Sequence, residues 1–102
     1  MRPPALKGDH VLYHIHCQDK ANSLQIRLDT RDAHLAYIDG LGDRLFAAGP
    51  LLSSDNEMVG SVLIIDFNSD DDAHAFCAED PYALAGLFDK VMVSRWRKTL
   101  PA

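Results

Sequence analysis

The sequence predicts an α+β domain in which two helices cover one face of a four-stranded antiparallel sheet, and three observations carry that expectation. Hydrophobic spacing alternates between strand and helix periodicity in the order strand, helix, strand, strand, helix, strand. Capping and turn residues fall where the spacing changes. With 102 residues the chain can bury one core and not two, so a single domain is expected over residues 1–102, with residues 1–9 and 99–102 as flexible ends.

The elements follow in order. From His10 to Cys17, Val11, Tyr13 and Ile15 alternate with Leu12, His14 and His16, a period of two rich in β-branched and aromatic residues, which predicts the first strand. Asn22 and Gln25 have capping-box spacing, and Leu24, Leu28, Leu35, Ile38 and Leu41 then recur at helical intervals as far as Gly40 and Gly42. This stripe leaves Arg27 and Arg31 toward a solvated helix face. Arg44 to Leu52 reads as a second strand containing the Gly49-Pro50 pair, and Ser53-Ser54-Asp55-Asn56 supplies a turn before a third strand from Val59 to Phe67.

Ser69 and Asp72 repeat the capping-box pattern, Asp70-Asp71-Asp72 suits the positive end of a helix dipole, and Ala73, Phe76 and Cys77 provide an apolar stripe for the second helix. Asp80-Pro81 restarts the chain in a short turn ending near Gly86. The carboxylate can accept from the turn's free N–H groups, and proline stands where an N–H is not needed. Lys90 to Trp96 alternates as the last strand, and the order βαββαβ is that of a ferredoxin-like plait.

The third strand adds a constraint, because Val59, Leu63, Ile65 and Phe67 make one face apolar while Val62 and Ile64 do the same for the other. Two helices cover one side only, so something must cover the second. A homodimer formed sheet to sheet is expected, the alternative being a monomer whose second face is a ligand groove.

A net charge of −5 argues against nucleic-acid binding, which needs clustered Lys and Arg, and the one basic cluster, Arg95-Trp96-Arg97-Lys98, reads as a strand end and solvated tail. The segment from Met1 to Gly8 lacks the apolar run of a signal peptide or membrane span, so a cytoplasmic protein with no membrane partner is expected. Cys17 and Cys77 lack CxxC spacing and read as reduced, small buried hydrophobes.

His14 and His16 share a face of the first strand with about 7 Å between their Cα atoms, close enough to hold a metal if further ligands existed. His10 projects to the same side, but nothing in the sequence fixes a third ligand. The other reading makes them polar residues lining a substrate pocket or the dimer seam, and no metal or cofactor is assigned. His34 stacks near Arg27, Arg31 and Ile38 at the shoulder of the first helix's apolar stripe, where an imidazole is either packed or functional.

Leu12-Tyr13, Gln18-Asp19-Lys20, Arg31-x-x-His34-Leu35, Ala48-Gly49-Pro50-Leu51, Gly60-Ser61, Asp80-Pro81-Tyr82, Ala85-Gly86-Leu87-Phe88 and Trp96-Arg97 occur in this order over nearly the whole chain. Together they resemble the YciI-like family. The resemblance implies a dimeric α+β barrel of two ferredoxin-like subunits paired through their sheets, each keeping a pocket between sheet and helices. It implies a pocket His and Asp, here His34 and Asp80, with Ser61 and the Gly49-Pro50 turn as pocket wall. It also implies enzyme-like chemistry, since some relatives are associated with dehydrochlorination of hydroxylated aromatic compounds. This chain has Asp32 where the commoner motif has proline, which adds a carboxylate beside the site.

A carboxylate on one ring nitrogen fixes a histidine's tautomer and stabilises its imidazolium, so the other nitrogen can take a proton. The expected chemistry is proton abstraction by His34, oriented by Asp80, from a hydroxylated or lactone-type small molecule, followed by elimination or isomerisation. Arg27 or Arg31 can hold an anionic oxygen, and Ser61 or Tyr82 can donate to it. The rival reading is a non-catalytic module that binds a small ligand or partner through the same pocket.

Overall fold

The computed structural model describes residues 12–101. His10 and Val11, assigned above to the first strand, lie outside them. Strand β1 spans Leu12–Asp19, helix α1 Leu24–Asp39, β2 Leu45–Leu52, β3 Met58–Ile65, α2 Asp70–Glu79, α3 Pro81–Leu84 and β4 Phe88–Trp96. The strands form one antiparallel sheet in the order β2-β3-β1-β4, the arrangement of a ferredoxin-like plait.

Alternation sets the two faces. Tyr13, Ile15 and Cys17 of β1 lie beside Leu63 and Ile65 of β3 on the face toward the helices, where Ile38, Phe67 and Ala73 complete the core. Gly60 lets β1 and β3 come together, since a Cβ there would stand 2.4 Å from the Cys17 carbonyl oxygen. Helix α1 is tied to α2 by Tyr37, whose hydroxyl donates to the Phe76 carbonyl at 2.8 Å while the two rings stack. Ser69 caps α2 by accepting from the Asp72 N–H at 3.1 Å, as the sequence indicates.

Two expectations for α1 are corrected. Its N-cap is Ser23, whose side chain caps nothing, while Asn22 takes a left-handed turn conformation (φ 57°) and Gln25 donates to Asp29, so the Asn22–Gln25 box does not form. The buried stripe is turned toward Arg27 and His34, with Ile38 common to the expected and observed faces, while Leu28 and Leu35 are 47% and 39% exposed. Arg27 is therefore not on a solvated face. Its charge can be buried because a carboxylate from another element meets it.

The sheet's far face carries Val62, Ile64, Met92 and Trp96, with His14 and His16 between them in the register His14↔Ile64 and His16↔Val62. Phe46 and Met92 are 44% and 53% exposed, and the Phe46 ring leans on Trp96 with centroids 6.1 Å apart. Among the described residues, no helix is long and apolar enough to cross a membrane.

Candidate active site

A cleft of about 140 Å³ opens between α1 and the helix-side face of β2 and β3. Helix α1 contributes Arg31, His34 and Ile38; the sheet contributes Ala48, Gly49, Pro50, Ser61 and Leu63; Tyr82 closes the end from α3. The walls are mostly apolar, with polar groups concentrated on the α1 side.

Asp80 ends α2 and caps α3, its Oδ1 accepting from the Tyr82 N–H at 2.9 Å, with Pro81 in the first turn. The same Oδ1 lies 3.0 Å from His34 Nδ1, and both side chains are buried. A carboxylate partner requires Nδ1 to carry the hydrogen, which leaves the lone pair on Nε2. Nε2 has no protein partner among the described residues, and the ring lines the cleft. Tyr82 fixes the ring plane from beneath, stacked on His34 at 4.1 Å with 17° between planes.

A second polar group sits beside the first. Arg27 Nε donates to Asp19 Oδ2 at 2.7 Å and one terminal nitrogen donates to Asp19 Oδ1 at 2.8 Å, a two-pronged ion pair. The same terminal nitrogen donates to Ser61 Oγ at 3.0 Å, and the guanidinium carbon lies 4.6 Å from the Tyr82 ring centroid. Burial opposes the charge on Arg27, but Asp19 overrides it and raises the guanidinium pKa above its ordinary value. Burial also raises the Tyr82 phenol, against the lowering effect of Arg27 and Arg31.

The structure thus brings together His34, Asp80, Tyr82, Ser61 and Arg27, and places Arg31 and Gly49 on the cleft wall. Arg31 is exposed and makes no ion pair among the described residues, whereas Asp32, the departure from the motif, is exposed and off the cleft wall. His14 and His16 do not reach the cleft, because their strand parity puts them on the opposite face of the sheet. They are corrected as pocket residues, and among the described residues no cluster of three or more His, Cys, Asp or Glu could hold a metal. Cys17 and Cys77 are free thiols, pushed up to about 12 and about 11 chiefly by burial and further by the Asp80 charge, which makes them poor nucleophiles. Sequence reasoning missed Asp19. Its one signal was its place in Gln18-Asp19-Lys20 at the end of β1, eight residues before Arg27.

The model of the YCII-related domain matches residues 11–97. Protein YciI of Escherichia coli O6:H1 is 41% identical, the alignment covering 86% of this chain and 98% of the relative. An uncharacterized protein from Haemophilus influenzae is 36% identical over the same shares. Among solved structures, 5-chloro-2-hydroxyhydroquinone dehydrochlorinase from Burkholderia phenoliruptrix, in complex with 2,5-dihydroxybenzoquinone, superposes with a TM-score of 0.80 at 39% identity, covering 86% of this chain and 95% of that one. A putative antibiotic biosynthesis monooxygenase from Nitrosomonas europaea shares the fold alone, with a TM-score of 0.54 at 16% identity. With the family match spanning most of the chain and relatives this similar over nearly their full length, the protein belongs to the YCII-related family.

Proposed function

We propose that this protein is a small-molecule lyase in which His34 is the general base and acid and Asp80 orients it, acting on a single hydroxylated ring by elimination of the dehydrochlorinase kind. The observation that carries the reading is the buried 3.0 Å contact between His34 Nδ1 and Asp80 Oδ1 at the wall of a cleft that holds little more than one six-membered ring. An apolar cavity of roughly this volume accepts benzene. The dehydrochlorinase relative, named for a chlorinated trihydroxybenzene and solved with a dihydroxyquinone, supports the same size and chemistry.

In such a reaction Nε2 takes a proton from a ring hydroxyl and returns it to the chlorine-bearing carbon. Loss of a second hydroxyl proton then expels chloride and leaves a hydroxyquinone. The net change is loss of HCl, with no oxidant. Negative charge gathers on ring oxygens along this path, and in this reading Ser61 and Arg31, both on the cleft wall, receive it.

A second copy of the chain covering the sheet's far face belongs to the same reading. Val62, Ile64, Met92, Trp96 and Phe46 make that face largely apolar around His14 and His16, and the helices cover the other one. Free thiols at Cys17 and Cys77 suit a reducing compartment such as the cytoplasm.

The test is chloride release from chlorinated hydroxyhydroquinones, alongside a panel of phenols and lactones. His34→Ala should lower kcat by about 10²- to 10⁴-fold and leave 2,5-dihydroxybenzoquinone bound. A wild-type protein that binds the quinone and turns over nothing on the panel would establish a binding module instead.

A further inference from the structure

Ser61 is 3% exposed and lines the cleft, and the one hydrogen bond of its hydroxyl among the described residues is accepted from Arg27. An arginine has no acceptor to offer in return, so the hydroxyl proton of Ser61 has no destination among the described residues. A buried hydroxyl that accepts on one side and keeps its proton is a donor toward whatever fills the cleft. What holds Arg27 in that relation is Asp19, which takes up Nε and the same terminal nitrogen that reaches Ser61, at 2.7 and 2.8 Å. The fork leaves the guanidinium little freedom to rotate, and the Tyr82 ring flanks it.

We infer that Asp19 is a positioning residue: by fixing Arg27 it makes Ser61 an obligate hydrogen-bond donor into the cleft, which selects ring ligands presenting an acceptor oxygen, carbonyl or oxyanion, at that wall. The inference rests on the small-ligand reading of the cleft and adds the residue that sets its polarity. It also gives the two arginines different work. The Arg27 charge is compensated by Asp19 and acts through a serine, whereas Arg31 at the rim has no carboxylate partner among the described residues.

The experiment is a double-mutant cycle read by calorimetric binding of 2,5-dihydroxybenzoquinone, a vinylogous acid that is anionic at neutral pH. Ser61→Ala alone should weaken binding about 10-fold or more, the range for a hydrogen bond to a charged oxygen. Asp19→Asn both loosens Ser61 and leaves Arg27 with uncompensated charge. The charge effect is present with either residue at position 61 and cancels in the cycle. Asp19→Asn should therefore weaken binding about 10-fold more in the Ser61 background than in the Ser61→Ala background, and Asp19→Glu should restore most of the difference.

Equal effects of Asp19→Asn in the two backgrounds, within twofold, would overturn the inference and leave the proposed activity standing. Should Asp19→Asn not fold, Arg27→Lys takes its place in the cycle. It keeps the charge and loses the fork, and the same coupling is expected. A wild-type chain that does not bind the quinone overturns the ligand reading and this inference with it. Coupling without turnover leaves the inference standing and overturns the lyase.

Discussion

Asp80 performs two tasks through one oxygen, and paired substitutions separate them. Oδ1 accepts both the Tyr82 N–H and His34 Nδ1–H, and all three groups are buried. Asp80→Ala removes the cap, worth about 1 kcal/mol, and strands the imidazole N–H, worth a further 1–3 kcal/mol or so. The expected loss is about 2–4 kcal/mol, which at a urea slope of about 1.5 kcal/mol/M moves the unfolding midpoint down by roughly 1.5–2.5 M. Asp80→Asn keeps a carbonyl oxygen where Oδ1 stands, so it should cost about 1 kcal/mol or less while removing the charge that stabilises an imidazolium. Its stability should stay near wild type while kcat falls by about 10²-fold or more. Urea denaturation followed by circular dichroism, with chloride release measured on the same preparations, reads both quantities. Equal destabilisation by the two variants, or an Asp80→Asn protein with more than a tenth of wild-type turnover, would refute the division of labour and reduce Asp80 to a helix cap.

The remaining predictions concern the scaffold. Gly60→Ala places a Cβ 2.4 Å from the backbone oxygen of Cys17, which no rotamer can relieve, so it should cost about 2–3 kcal/mol and lower the thermal midpoint by 10 °C or so, whereas Gly49→Ala, with nothing within 4 Å, should leave it unchanged. An undisturbed melt for Gly60→Ala would show that β1 and β3 are not held as closely as described. Burial raises Cys77 to about 11 and Cys17 to about 12 from an ordinary 9.0, so the folded state holds these protons more tightly than the unfolded one. Stability is then whole below about pH 9 and lost as pH climbs through 11–12, and urea midpoints measured from pH 8 to 12 should decline over that window. At pH 8 iodoacetamide should alkylate Cys77 about 100-fold more slowly in the folded protein than in urea, and matching rates would contradict the burial. Ile64→Arg sets a charge in the centre of the uncovered sheet face and should halve the mass seen by analytical ultracentrifugation; a wild-type monomer at micromolar concentration would count against pairing through this face.

Strands, helices and their order were legible because period and punctuation are local. Alternation through Tyr13 and Ile15, the cap at Ser69 and the Asp80-Pro81 signal each need no knowledge of the rest of the chain, and each appears as read. The rotation of α1 was not legible, because hydrophobic spacing counts Leu28 and Leu35 as inward and Arg27 as outward. Only a carboxylate from β1 makes the burial of Arg27 tolerable, and that partner is a fact of tertiary structure. Asp19 was missed for the same reason. The shared face of His14 and His16 followed from parity, but which face of the sheet the helices would occupy did not. The pairing of His34 with Asp80, 46 residues apart, came from family resemblance and not from spacing, since no periodicity joins two elements that distant in sequence.

Among the described residues, strand β2 bonds to β3 alone and forms the margin of the sheet on the side of the cleft. Its contribution to the wall, Ala48-Gly49-Pro50, is small and exposed. The hydrogen-bonded groups His34, Asp80, Arg27, Asp19 and Ser61 all stand away from this margin, on α1, β1, β3 and the junction of α2 with α3. A larger side chain at Ala48 would therefore narrow the cleft while leaving that network untouched.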